Sequence, residues 1–304
     1  MNTRAKFLSA FLIGAAILAI SARPQFNPAP YYAPEKSITV QGINTVYLDS
    51  GSGQALLLIH GFSGNAYNWI EVFGPLAKDF RVIVVDLPGY GKSGCPAKNQ
   101  KATMIWYADF LAEFMDKIGA PQAVVVGNSM GGSIAAFLAV RHPEKVTKLV
   151  LEDAAGLKGG KLELLKNLGT ITAPAALIPV LHVVFPVTEE SQAKAPPSER
   201  KRVELAELRY ASDLRLCSSI AMRQSAISLG TDYTEPVLNQ IKAPTLIIWG
   251  SNDDLLPVAT AEQFHQKIPG SQVQIIEGGV HTPMQWKPED FVKVLKDFAA
   301  NNPK

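Results

Sequence analysis

The stretch from Ala123 to Gly132 constrains the chain most. It reads Ala-Val-Val-Val-Gly-Asn-Ser-Met-Gly-Gly and runs on into Ser-Ile-Ala-Ala-Phe-Leu-Ala-Val. A β-branched run breaks off at Gly127, and a helix-forming run begins at Met130. The pattern is therefore Gly-x-Ser-x-Gly set between a strand and a helix. A turn this sharp strains the residue at its apex, and glycines at 127 and 131 let strand and helix approach closely. Ser129 is then presented at the carboxyl edge of a sheet. The helix that follows turns its N-terminal N–H groups toward any negative charge developing there. An ordinary Gly/Ser turn would look similar, so the reading depends on a base, an acid and a second oxyanion donor elsewhere in the chain.

Length and composition set the frame. With 304 residues, 47% hydrophobic and 18% charged, the chain suits one large domain with an insertion. A net charge of +2 leaves no electrostatic footprint for nucleic acid. Cys95 and Cys217 form no metal-ligand spacing. A disulfide between them fits an oxidising compartment, and each also reads as a buried or loop thiol. Residues 1–22 carry Arg4 and Lys6, then an uncharged run from Phe7 to Ala22 that ends Ile-Ser-Ala. As a helix that run spans about 24 Å, short of a hydrocarbon core of about 30 Å. A cleaved signal peptide is expected, with a retained N-terminal anchor as the alternative, so the protein is exported or held at a membrane by this segment. Residues 23–36, with Pro24, Pro28, Pro30 and Pro34, read as a linker.

Strand and helix patterns alternate through residues 37–155. Ser37–Gln41 and Ile43–Leu48 flank Gly42 as a hairpin. Ala55–His60 is a continuous apolar run, as a strand buried on both faces is; Arg81–Asp86 reads as another buried strand, and Ala123–Gly127 and Val146–Glu152 as the strands that follow. Helices are expected over Trp69–Lys78, Thr103–Ile118 and from Met130 to about His142. Such alternation predicts a mostly parallel sheet with helices on both faces, binding ligands beyond the strand carboxyl ends. The pattern stops over residues 156–231, which read as a helical cap inserted between two strands, its stretch from Ile171 to Val187 apolar but broken by prolines. It resumes at residues 232–304 with strands Thr245–Trp249 and Gln272–Ile276 and helices Ala259–Lys267 and Pro288–Phe298.

A serine hydroxyl needs a base to take its proton and an acid to orient that base. His281 follows the last strand and Asp253 the strand before it, so both reach the edge that carries Ser129. Asp254 and Asp153 are alternative acids. His60 and Asp86 read as loop braces, His142 as a helix end, and His182 as packed in the cap.

Taken together, His60-Gly61-Phe62, Asp86-Leu87-Pro88-Gly89-Tyr90-Gly91-Lys92-Ser93, Gly127–Gly131, Gly250-x-x-Asp253-x-x-x-Pro257 and His281 resemble the α/β-hydrolase fold family from Ser37 to the C-terminus. One departure is Val280 where that family commonly has glycine before the histidine. The resemblance implies an eight-stranded, mostly parallel sheet with a helical cap. It also implies Ser129 as nucleophile, His281 as base and then acid, Asp253 as its orienting partner, and the Phe62 and Met130 amides as the oxyanion hole. A serine nucleophile sets the chain apart from relatives that use aspartate. The Gly-Asn-Ser-Met-Gly-Gly run is similar to that of meta-cleavage-product hydrolases, which cleave carbon–carbon bonds. Those relatives also need an arginine clamp, for which Arg215 or Arg223 would serve, and their Ser-Gly-Pro-Gly-Ala-type oxyanion loop is missing. The segment His60–Trp69 looks more like lipases and monoacylglycerol-lipase-type esterases. A carboxylic ester with an apolar acyl group, cleaved through an acyl-enzyme, is the expected substrate. A non-catalytic binding protein of the same fold is the remaining alternative. No metal cluster, phosphate loop or dinucleotide fingerprint is present, so no cofactor or metal is expected.

Overall fold

The computed structural model of the chain describes residues 35–158 and 216–300, with the side chains of 216–219 left aside. The expected leader (1–22), most of the linker, the cap segment 159–215 with His182 and Arg215, and the side chain of Cys217 lie outside the described residues.

An eight-stranded sheet runs in the order β1-β2-β4-β3-β5-β6-β7-β8. Its strands are β1 (Glu35–Val40), β2 (Ile43–Ser50), β3 (Ala55–Ile59), β4 (Arg81–Val85), β5 (Ala123–Asn128), β6 (Val146–Glu152), β7 (Thr245–Gly250) and β8 (Gln272–Ile276). Only β2 pairs antiparallel to its neighbours; β4 through β8 are parallel. The helices are α1 (Ile70–Ala77), α2 (Met104–Lys117), α3 (Met130–Arg141), α4 (Leu216–Leu229), α5 (Ala259–Lys267), α6 (Pro283–Trp286) and α7 (Pro288–Ala300).

The continuous apolar strands are explained by a core on each face. Leu57, Ile59, Ile83, Val125, Leu149, Leu151 and Ile247 pack with α2, α3 and α5. Their alternates Leu56, Leu58, Val82, Val84, Val124, Val126 and Val150 pack with α1 and α7. Because side chains alternate across a strand, both sets must be apolar. Helix α3 is buried from Met130 to Ala139, which is why it is hydrophobic all round. Lys148 of β6 is buried and donates to the carbonyls of Phe298 and Ala299 at 2.9 and 2.6 Å. It thereby satisfies acceptors that the end of α7 leaves open.

Most boundaries match the sequence pattern. The first expected helix, Trp69–Lys78, divides into a 3-10 turn at Ala66–Trp69 and α1. Asn65 opens the turn by accepting from Tyr67 N–H, and Asn68 returns a side-chain bond to Asn65 N–H. Helix α6 was not expected; only four residues long, it is too short to show a period.

The described end of the segment read as a cap is α4, and it is docked on loops at the carboxyl edge. Gln224 accepts from Ala102 N–H, Ser228 accepts from Met104 N–H, and a Cβ on Gly89 would stand 2.3 Å from that of Ala221. Cys95, in the same loop as Gly89, is disulfide-bonded; the sequence holds one other cysteine, Cys217.

Candidate active site

Ser129 stands between β5 and α3 with φ 53 and ψ −114. A non-glycine residue at positive φ is strained by about 1 kcal/mol or more, and its surroundings hold it there. Its N–H donates to Glu152 O at 3.0 Å, and its carbonyl accepts from Gly132, Ser133 and Ala155. The flanking glycines are required by contact rather than by conformation. A Cβ at Gly127 would sit 2.1 Å from Gly131 O, and one at Gly131 would sit 2.3 Å from Ile59 O.

The loop after β3 lies against this turn: a Cβ on Gly61 would come 3.2 Å from that of Ser129. Phe62 is the next residue. Among the described residues, neither Phe62 N–H nor Met130 N–H finds a hydrogen-bond acceptor. Both amides flank Ser129, and Met130 is the first residue of α3.

His60 and Asp86 build the frame of these loops, as braces. Burial pushes the His60 imidazole down to about 4, against a raising effect of the Gly61 hydrogen bond, so the ring is neutral. Its Nδ1–H donates to Gly61 O at 2.8 Å and its Nε2 accepts from Leu87 N–H at 3.2 Å, tying the β3 loop to the β4 loop. Burial raises Asp86 to about 6, while N–H donors from Lys92 and Ala66 oppose the shift.

On the other side, His281 Nδ1 donates to Asp253 Oδ2 at 2.8 Å. That bond leaves Nε2 as the ring's lone pair. Asp253 Oδ1 accepts from Leu255 and Leu256 N–H, each at 2.9 Å, and its side chain is fully buried while that of His281 is 19% exposed. Burial alone would raise the Asp253 carboxyl. The hydrogen bond and charge of His281, with donors from Asp153 and Leu256, outweigh that and hold it below the usual carboxylate range. Asp254, the neighbouring alternative, is exposed. His142 lies elsewhere, at the end of α3, with its Nε2 2.8 Å from Asp109.

A Cβ on Gly250 would come 2.5 Å from both Gly279 O and Val280 O, main-chain contacts that leave the Val280 side chain out of the approach, and Asn252 N–H donates to Gly279 O at 2.8 Å. The β7 and β8 loops are thus laced together before His281 is reached.

Two side chains that sequence reasoning missed, at the ends of β5 and β6, hold the loop and short helix around His281 to the sheet. Asn128 Nδ2 donates to His281 O at 3.2 Å, and Glu152 Oε1 accepts from Met284 N–H at 3.0 Å. Their only sequence signal is a polar residue ending an apolar strand. Burial pushes Glu152 up to about 8 from 4.5, with the Met284 N–H opposing. A carboxyl protonated in the folded chain but ionised when unfolded withdraws stability as pH rises from its unfolded toward its folded value. The isosteric Glu152→Gln keeps an acceptor for Met284 without a titration. We expect urea unfolding to show the variant gaining on the parent between about pH 5 and 9, by a few kcal/mol in all. A difference constant across that range would contradict the assignment.

Ligand atoms of Asp153, Asp253 and His281 lie within 4.8 Å of one another.

Residues 54–173 match the family model described as alpha/beta hydrolase fold. The chain is 32% identical to a 2-hydroxymuconate semialdehyde hydrolase of Pseudomonas sp. over 90% of its own length and 96% of the relative's. It is similar to the crystal structure of a membrane phospholipase A, with TM-score 0.72 and 30% identity over 98% of both chains. It is similar too to a meta-cleavage product hydrolase of Pseudomonas fluorescens, with TM-score 0.70 and 26% identity over 90% of this chain and all of the other. With such identity over nearly the full length of a relative, and the same sheet and loop arrangement, the chain belongs to the alpha/beta hydrolase fold family.

Proposed function

We propose that the protein is a serine hydrolase of carboxylic esters with an apolar acyl group, acting through an acyl-enzyme. In this reading His281 Nε2 takes the Ser129 proton as Oγ attacks the ester carbonyl. Asp253 steadies the imidazolium, and the Phe62 and Met130 amides receive the oxyanion. The alcohol leaves with the proton from His281, and water then repeats the sequence on the acyl-serine. The observation that carries the reading is the pair of acceptor-less amides on either side of a strained serine, opposite an Asp253–His281 pair. Preorganised donors of this kind cost no reorganisation when charge develops.

Similarity to the phospholipase over 98% of both chains supports a lipid-like acyl ester. The segment His60–Trp69 supports it as well, since it resembles lipases and monoacylglycerol-lipase-type esterases. Residues 156–231 serve as a cap shielding the acyl group in this proposal. The disulfide at Cys95 fits export to an oxidising compartment, with residues 1–22 as the signal or membrane anchor. The second reading, a carbon–carbon hydrolase of the meta-cleavage-product type, is favoured by 32% identity to the semialdehyde hydrolase.

A panel of p-nitrophenyl esters separates the two. Each added methylene that the site buries is expected to raise kcat/KM by up to about fourfold, from about 0.8 kcal/mol per CH₂. Turnover of a 2-hydroxy-6-oxo-dienoate with no ester hydrolysed would overturn the ester reading in favour of the second.

A further inference from the structure

Asp153 is a buried carboxyl beside Asp253 that this chemistry does not use. Asp153 follows β6 directly and sits at φ 41, in the left-handed region, although it is not glycine. Strain at a buried side chain marks a position that its surroundings over-determine. Its N–H donates to Ile248 O and its Oδ1 accepts from Gly250 N–H, both at 3.0 Å. These bonds anchor it to the end of β7. Its Oδ2 is buried and meets no N–H donor; it faces the carboxylate of Asp253. Two carboxylates turned toward each other in a site closed to water cannot both carry charge. The titratable groups around Asp153 are Glu152 from its own strand, Asp253 from the β7 loop and His281 from the β8 loop. Asp253 is the one already committed to accepting from His281.

We propose that Asp153 is a positioning residue of this site, a neutral carboxylic acid whose Oδ2–H donates to Asp253 and so extends the relay to Asp153–Asp253–His281–Ser129. The proposal rests on the serine-hydrolase reading above. Burial above all, with the charge of Asp253 and any charge Glu152 takes on when it ionises, pushes the Asp153 carboxyl well above the usual range, which agrees with the geometry. The donated hydrogen bond does two things. It fixes the rotation of the Asp253 carboxylate, and it draws part of that carboxylate's charge away from the imidazole. Asp253 thereby offsets an imidazolium charge on His281 less than it would without that hydrogen bond.

The pH dependence of kcat/KM on a p-nitrophenyl ester tests this with two variants. Asp153→Asn retains an acceptor for Gly250 and an amide donor for Asp253. Its acid limb should stay with the parent's and its kcat within a few-fold. Asp153→Leu removes the donor, so the acid limb should move up by about half a unit or more, and kcat should fall about tenfold. If Asp153 is instead ionised, Asp153→Asn deletes a negative charge beside the imidazole and the limb moves down; that result, or an unshifted limb in Asp153→Leu, overturns the proposal. Infrared difference spectra give a readout independent of turnover and of the leucine variant's folding. The parent minus Asp153→Asn spectrum at neutral pH should contain the carbonyl stretch of a protonated carboxyl, with Glu152→Gln recorded to identify the Glu152 band. Absence of an Asp153 band overturns the proposal, while its presence in a protein that hydrolyses no ester points to failure of the ester reading instead.

Discussion

Replacing Ser129 by alanine should lower kcat for ester hydrolysis by about 10⁶-fold while leaving the fold and the affinity for substrate intact. The size follows from the division of labour. Without Oγ no acyl-enzyme forms, and only the oxyanion donors and substrate positioning remain to assist direct attack by water. Affinity survives because the Phe62 and Met130 amides and the surrounding walls are unchanged. The fold survives because, among the described residues, the bonds that hold residue 129 in its strained conformation are made by its main chain, through the N–H to Glu152 O and the carbonyl to Gly132, Ser133 and Ala155. Alanine even permits the same φ at similar cost. Circular dichroism and initial-rate kinetics on a p-nitrophenyl ester provide the check, and a loss smaller than about a hundredfold would remove Ser129 from the chemistry.

Asp253→Asn should cost about 10⁴-fold in kcat with little change in KM. Asparagine is the same size and can still accept from Leu255 and Leu256 N–H, which Asp253 Oδ1 does at 2.9 Å. The loop should therefore keep its shape. What changes is the group facing His281 Nδ1. An amide nitrogen there donates instead of accepting, the ring turns to its other tautomer, and Nε2 carries a proton where Ser129 needs a lone pair. An amide oxygen there would keep the tautomer but carry no charge to offset the imidazolium. Kinetics and thermal unfolding on the same sample separate this from simple destabilisation. A variant within about tenfold of the parent would show that the Asp253–His281 pair is not part of the relay.

The fold was legible because its strands are buried on both faces. Residues such as Leu56–Ile59 and Val124–Val126 alternate between two apolar cores, so each run is continuously hydrophobic and ends where the chain leaves the sheet. The places of Ser129, Asp253 and His281 beyond the strand ends were legible for the same reason. What stayed hidden are the groups whose partners are distant in sequence. Asn128 and Glu152 look like the polar finish of two strands, yet they fasten the His281 loop. Lys148 looks out of place in a strand until the end of α7 is seen above it. Asp153 read as a rival to Asp253 for the acid's role; in the structure it is Asp253 that bonds His281. Nothing in a linear pattern distinguishes an ionised carboxylate from a neutral one 4.8 Å or less away.

The central claim is that the Ser129 hydroxyl is an activated nucleophile. Labelling the intact protein with a fluorophosphonate at neutral pH, followed by peptide mass spectrometry, tests it most directly. Stoichiometric phosphonylation of Ser129 is predicted, lost in Ser129→Ala and slowed in Asp253→Asn. A protein that stays unlabelled, or that is labelled at another side chain with Ser129→Ala reacting as the parent does, would contradict it.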